Sequence, residues 1–292
     1  MESVQTFMKF FCIINTRQVF FHLSNNTMTI KYSIGAILSI PLLPFLYLQG
    51  RRVKQTIPDL PEAIEPTGDS GSKSDRCIKI LVLGESTMAG VGVETHKEGF
   101  TGTLADELAE NLNLCVEWKV HAKSGITVGR MKDELLDGFN EKNWDLIVIG
   151  IGGNDAFKLN NPFRWKNQVR LVINNLRNKF GDTPVVFTNM PPIKEFPAFT
   201  PLMKWTIGNL VEILGEALID VVAEFEKVYY SSEVISIECW SEKYNLSSDR
   251  SQYFSDGVHP SKLTYQTLAK QLAEFIKNSG VLSGYSEPQQ MD

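Results

Sequence analysis

Short apolar runs alternate with amphipathic stretches over most of the chain. Residues 77–84 (CIKILVLG), 115–121 (CVEWKVH), 144–150 (WDLIVIG), 184–190 (PVVFTNM) and 233–239 (EVISIEC) concentrate β-branched, aliphatic and aromatic side chains. That is the pattern of strands covered on both faces of a parallel sheet. Between and after them, residues 101–111, 128–139, 164–180, 202–226 and 261–277 place apolar side chains at helical spacing. The alternation predicts a three-layer α/β/α fold, doubly wound around a parallel sheet of about five strands. Sites in such sheets lie beyond the carboxyl ends of the strands.

Ahead of this region the pattern changes. Residues 32–50 (YSIGAILSIPLLPFLYLQG) carry no charge and are followed by Arg51, Arg52 and Lys54. The run approaches the roughly 20 residues that cross a bilayer as a helix, although Pro41 and Pro44 would kink it. No small-x-small cleavage site follows, so a retained membrane anchor is expected. Basic residues just after it favour the cytoplasmic face of a bacterial inner membrane for the domain, with Lys31 and Arg17 pulling the other way. Residues 1–27 include FMKFFCIINTRQVFFHL, interrupted by Lys9 and Arg17, and Met28 opens a cleaner segment, which makes it the expected translation start. The division expected is an apolar segment over 1–50, a flexible linker over 51–76, one domain over 77–279 and a disordered tail over 280–292.

Composition narrows the function classes. The net charge of −5 gives no broad cationic field, which argues against nucleic acid as a partner. The cysteines Cys12, Cys77, Cys115 and Cys239 form no C-x-x-C pair and have no histidine at metal-ligand spacing, so free thiols are expected rather than a disulfide or zinc site. No P-loop, dinucleotide fingerprint or metal cluster implies a cofactor, and Gly90-Val91-Gly92 is too short for a nucleotide loop.

Chemistry concentrates at the strand tips. The first strand ends in Gly84-Glu85-Ser86-Thr87, the second leads to Ser124-Gly125, the third runs into Gly152-Gly153-Asn154-Asp155, and Asp256-Gly257-Val258-His259-Pro260 precedes the last helix. A serine hydroxyl attacks effectively only when an imidazole takes its proton, and a carboxylate on the other ring nitrogen fixes the tautomer. Singly, Ser86 reads as a helix cap and Asn154-Asp155 as a turn. Together, in this order over residues 78–276, the blocks resemble the SGNH or GDSL-type hydrolases. The resemblance implies Ser86 as nucleophile, His259 as base, Asp256 as its orienter, and an oxyanion hole from Ser86 N–H, Gly125 and Asn154. The apolar segment, basic linker and MPP turn at Met190 further resemble membrane-anchored bacterial members similar to lysophospholipase L1, which implies a lysophospholipid or short-acyl ester as substrate.

The family signature usually reads Gly-Asp-Ser-Leu, whereas this chain has Glu85, one methylene longer, and Thr87. Met88 stands where a G-x-S-x-G elbow needs glycine, which argues against the α/β-hydrolase fold. His22 precedes the apolar segment, His96 sits in the charged loop ETHKEG close after Ser86, and His121 ends a strand without an acidic partner at short spacing, so all three are expected on the surface or in packing. Residues 191–205 (PPIKEFPAFTPLMKW) are expected to form a lid, with Phe196, Phe199, Leu202, Met203 and Trp205 lining an acyl cleft or packing on the core. Competing functions are acyl transfer by the same site and a membrane-tethered binding domain with weak turnover.

Overall fold

The structure is a computed structural model and describes residues 27–72 and 77–285. Cys12, His22, the FMKFFCIINTRQVFFHL stretch and the tail residues 286–292 lie outside the described residues. The chain divides into two compact units, Met1–Phe45 and Leu46–Asp292. In the first, helix runs from Thr27 and tightens at Ile40–Leu42, where Pro41 cannot donate to the preceding turn. Ile30, Ile34, Ile37 and Ile40 are exposed along it. The helical stretch Thr27–Thr56 has the length and apolar composition of a membrane anchor, and equally of a signal sequence.

The second unit begins with the last turns of helix α1 (Leu43–Thr56) and is built on a sheet of six strands. In chain order its elements are β1 (Thr67–Ser70), β2 (Cys77–Gly84), α2 (Phe100–Leu112), β3 (Cys115–Ala122), α3 (Val128–Met131), β4 (Leu146–Gly150), α4 (Gly153–Phe157), α5 (Pro162–Phe180), β5 (Val185–Phe187), α6 (Pro201–Val222), β6 (Val228–Tyr230), α7 (Ile237–Lys243) and α8 (Lys262–Asn278). The spatial order is β1-β3-β2-β4-β5-β6, parallel except for β1, which pairs antiparallel with β3. Every residue of β4 and β5 is buried, which explains their uninterrupted aliphatic sequences. Helices pack on each other in the pairs α2 with α8 and α5 with α6. Order reverses at β2, so the tips of β2, β3 and β4 meet at a switch point.

The three-layer α/β arrangement matches the expectation, with particular corrections. The sheet has six strands rather than about five. Residues 233–239 are not a strand: Ser236 caps α7 by accepting from Cys239 N–H, and Ile235 and Ile237 are buried without a ladder. The last strand is instead the three-residue β6, too short to leave a periodic signal. Much of the linker over 51–76 is ordered onto the domain. Residues 51–56 finish α1, Thr67–Ser70 form β1, and Ala63 N–H donates to Ala89 O at 3.0 Å. Beyond 279 the chain folds back: Leu282 is buried and Tyr285 OH donates to Asp145. Cys77 and Cys115 are not free thiols. They open the adjacent parallel strands β2 and β3 in register, and a disulfide joins them; among the described residues Cys239 remains free.

Candidate active site

Ser86 follows β2 at the start of a tight turn, in which Met88 and Ala89 N–H both donate to Glu85 O at 2.8 and 2.9 Å. Backbone bonds pin this turn to its neighbours: Glu85 N–H donates to Gly150 O at 3.0 Å and Lys123 N–H to Gly84 O at 3.0 Å. The tips of β2, β3 and β4 are thereby held together before any side chain acts. Gly125 adopts φ +75°, a left-handed conformation that glycine enters without steric cost.

Glu85 is the residue whose part in the site the sequence left least determined. It is buried, and its carboxylate accepts Gly153 N–H on Oε1 at 2.8 Å and Asn154 N–H on Oε2 at 2.9 Å. A Cβ on Gly153 would stand 2.9 Å from Oε1, so any larger residue there would have to displace the Glu85 carboxylate. Glu85 thus braces the start of α4, from which Asn154 projects. Burial pushes its pKa up to about 7; the Asn154 and Gly153 N–H groups oppose that rise, and the nearby Asp155 charge adds to it. Asp155, fully buried, accepts Val128 N–H at 3.1 Å and Asn160 Nδ2 at 2.7 Å, tying the segment after Gly125 to α4. Burial also raises the Asp155 carboxyl, against those hydrogen bonds.

On the opposite rim, His259 Nδ1 and Asp256 Oδ2 are 2.7 Å apart. The second Asp256 oxygen accepts Val258 and His259 N–H at 2.9 and 2.7 Å, so the D-x-x-H loop closes on its own carboxylate. Burial works to raise the Asp256 carboxyl, but the hydrogen bonds from His259 and Val258 together outweigh it and hold it below its ordinary value. Its side chain has no solvent exposure, whereas His259 keeps 25%.

Ser86, Gly125, Asn154 and His259 line one cavity of ≈ 210 Å³, with Asp256 behind the imidazole. Ser86 Oγ makes no hydrogen bond among the described residues. Such serine–imidazole pairs often close to hydrogen-bond distance only around a substrate. The remaining walls are largely apolar and include Phe157, Phe196, Ile235, Trp240, Phe254 and Leu268.

The expected lid residues separate. Phe196 lines the cavity. Phe199 packs between Phe157 and Phe196, with ring centroids 5.8 and 5.3 Å away, and supports the wall without lining it. Met203 is buried, Trp205 is 42% exposed, and neither they nor Leu202 border the cavity. The helix-forming stretch after Thr200 takes these residues into the body of α6. Phe157 and Phe254 were missed as wall residues. Their signal was position, since each sits within three residues of a block carrying Asn154 or Asp256.

His96 is buried beneath Gly90, and His121 contacts Leu135 O at 2.8 Å through Nε2 and stacks near Phe139. Neither lines the cavity. Among the described residues no group of three or more His, Cys, Asp or Glu side chains is arranged to hold a metal ion.

A profile of the GDSL-like Lipase/Acylhydrolase family matches residues 82–267, from the second half of β2 into α8. The chain belongs to that family. Among solved structures, this GDSL-like chain is similar to the lipase Lip_vut3 from a goat rumen metagenome, with 19% identity over 72% of this chain and 99% of that one and a TM-score of 0.50. It is similar also to a family 3 carbohydrate esterase from Clostridium thermocellum, with 17% identity over 72% and 100% of the two chains and a TM-score of 0.50. A protein from Parabacteroides merdae described as GDSL-like is 18% identical over 70% and 96%, with a TM-score of 0.52. Identities this low speak to the fold alone. Comparison with curated proteins gave no match.

Proposed function

We propose that this GDSL-like chain is a serine ester hydrolase in which Ser86 attacks the acyl carbonyl and forms an acyl-enzyme. His259 takes the Ser86 proton and returns it to the leaving alcohol, and Asp256 holds the imidazole in the tautomer that can do so. Ser86 N–H, Gly125 N–H and the Asn154 amide stabilise the oxyanion, where fixed donors act most strongly. Water then resolves the acyl-enzyme. The observation that carries this reading is that His259, held by Asp256 at 2.7 Å, lines one cavity with Ser86, Gly125 and Asn154.

The cavity walls favour an acyl chain over an acetylated sugar. Phe157, Phe196, Phe254 and Trp240 offer aromatic surface for a short or medium chain, as in a lysophospholipid, and a membrane-tethered helix would keep the domain beside such esters.

Fluorophosphonate labelling tests the chemistry. The wild-type chain should label and Ser86→Ala should not, with folding retained; equal labelling of both would refute Ser86 as nucleophile. Asn154→Ala should lower kcat by about 10²–10³-fold with little change in KM. A nitrophenyl-ester series tests the substrate class, and turnover confined to acetylated sugars would overturn the acyl-chain reading. Acceptor alcohols added during turnover separate hydrolysis from acyl transfer.

A further inference from the structure

Residues 57–66 leave α1 and run along the catalytic loops before β1 begins, ahead of residue 82 where the family match starts. Backbone bonds fasten this strap to the segment that follows Ser86. Ala63 N–H donates to Ala89 O and Ile64 N–H to Glu94 O, both at 3.0 Å, and His96 N–H donates to Ile64 O at 3.1 Å. The end of the strap is fastened to β3, where Val120 N–H donates to Pro66 O at 2.7 Å. Gly90 belongs to the same fastening: its φ is +72°, and a Cβ there would stand 2.6 Å from the Ala63 Cβ. The glycine of the Gly90-Val91-Gly92 run thus serves close packing against the strap. From the strap Glu62 reaches the oxyanion loop, and its Oε1 accepts Ser124 N–H at 2.7 Å. Ser124 and Gly125 both line the catalytic cavity.

That bond falls where the loop has least other support. Lys123 to Ile126 form a tight turn closed by a long bond, Ile126 N–H to Lys123 O at 3.4 Å, with Gly125 at φ +75° in third position. A Cβ on Gly125 would meet nothing within 4 Å, so packing does not hold the tip of the turn. The Gly125 N–H belongs to the central peptide, and the common turn types differ by a flip of that peptide. A flip would reverse the direction of this N–H.

We infer that Glu62 is a positioning residue for the oxyanion hole: by holding Ser124 N–H it fixes the turn that presents Gly125 N–H, and the strap after α1 is part of the catalytic framework. The inference rests on the esterase reading above and adds to it a residue outside the four motif blocks. A carboxylate that accepts an N–H makes a charge-assisted bond, shorter and stronger than one between neutral groups. Glu62 is itself exposed, so its removal leaves the core intact while loosening one oxyanion donor.

The test measures kcat and KM of the full chain on a soluble nitrophenyl ester for wild type, Glu62→Ala and Glu62→Gln, with Tm alongside. Glu62→Ala should lower kcat about tenfold at nearly constant KM, well short of the roughly 10²–10³-fold expected when an oxyanion donor is lost outright. Glu62→Gln keeps an acceptor oxygen at the same reach and should recover most of that loss. Should Glu62→Ala not fold, Glu62→Asp, one methylene shorter, takes its place. Gly125→Ala, which strains the same turn, supplies a readout that a merely structural role would not move: Glu62→Ala should cost much less in that background than in wild type. Unchanged kcat in Glu62→Ala, a loss confined to KM, an equally deep loss in Glu62→Gln, or the same loss repeated in the Gly125→Ala background would each overturn the inference. If the wild type turns over no ester, the esterase reading fails by itself. Amide hydrogen exchange over residues 123–126 then still decides: it should quicken in Glu62→Ala and stay near wild type in Glu62→Gln, and equal exchange in all three would overturn the inference.

Discussion

Glu85 occupies the position where the family signature carries aspartate, and the extra methylene is used to reach across to α4 and take two backbone N–H groups. Its folded pKa near 7 stands above the ordinary 4.5, so between those values the native state holds more protons than the unfolded chain. Stability from this group is therefore complete below about pH 4.5 and is lost as pH rises through about 7, on the order of 3 kcal/mol. Asp155, raised by the same burial, acts in the same direction. Glu85→Gln removes the titration, so its Tm should vary less than wild type between pH 5 and 8. An undiminished slope in the variant would show that Glu85 is not the group responsible. The amide also offers one acceptor to two donors, so kcat should drop with little change in KM, and Glu85→Asp should restore part of it. The four motif blocks were readable because short polar residues and glycines stand where strands end. The brace was not, because it depends on the distance between β2 and α4, which no local pattern records.

The aromatic wall is a property of several elements at once. Phe157 ends α4, Phe196 and Phe199 belong to the connection between β5 and α6, and Phe254 precedes the D-x-x-H loop, yet their rings contact in series at 5.8, 5.3 and 5.4 Å. Thr200 anchors this arrangement: its hydroxyl caps α6 by accepting Met203 N–H and donates to Gln49 in α1 at 2.6 Å. Phe199 is 8% exposed and supports the cavity from behind. Phe199→Ala should therefore cost about 3 kcal/mol of stability, the usual scale for emptying a buried aromatic site. It should also raise KM for longer acyl chains more than for acetyl esters, since Phe157 and Phe196 lose the ring between them. A uniform effect on all chain lengths would make the wall purely structural. Apolar periodicity located α2, α5, α6 and α8 to within a few residues but missed α4 and α7, and it could not separate Phe196 from Met203 and Trp205. All of them look alike in a loop rich in proline, and only the start of α6 at Pro201 assigns them to different surroundings.

The disulfide bears on the whole molecule, and spacing alone could not announce it. Cys77 and Cys115 are 38 residues apart, and what brings them together is the parallel register of β2 and β3, each of which opens with a cysteine. Their link closes a loop containing α2 and the Ser86 turn, so it restricts the unfolded chain over the segment that carries the nucleophile. On the loop-entropy account, a loop of this length contributes about 4 kcal/mol. Reduction, or the double change Cys77→Ser and Cys115→Ser, should lower Tm and the midpoint in urea, while Cys239→Ser should leave both near wild type because that thiol is exposed and unpaired. The bond also weighs on where the domain works. Disulfides persist in oxidising compartments, whereas Arg51, Arg52 and Lys54 after the apolar helix favour the reducing side. The disulfide depends on two strands in register, while the basic cluster is opposed by Lys31 on the other flank, so the oxidised pair is the stronger of the two cues. Native protein alkylated at harvest without reductant should accordingly carry no label on Cys77 or Cys115. Quantitative labelling of both would place the domain on the reducing side and restore the face that the basic flank alone indicates.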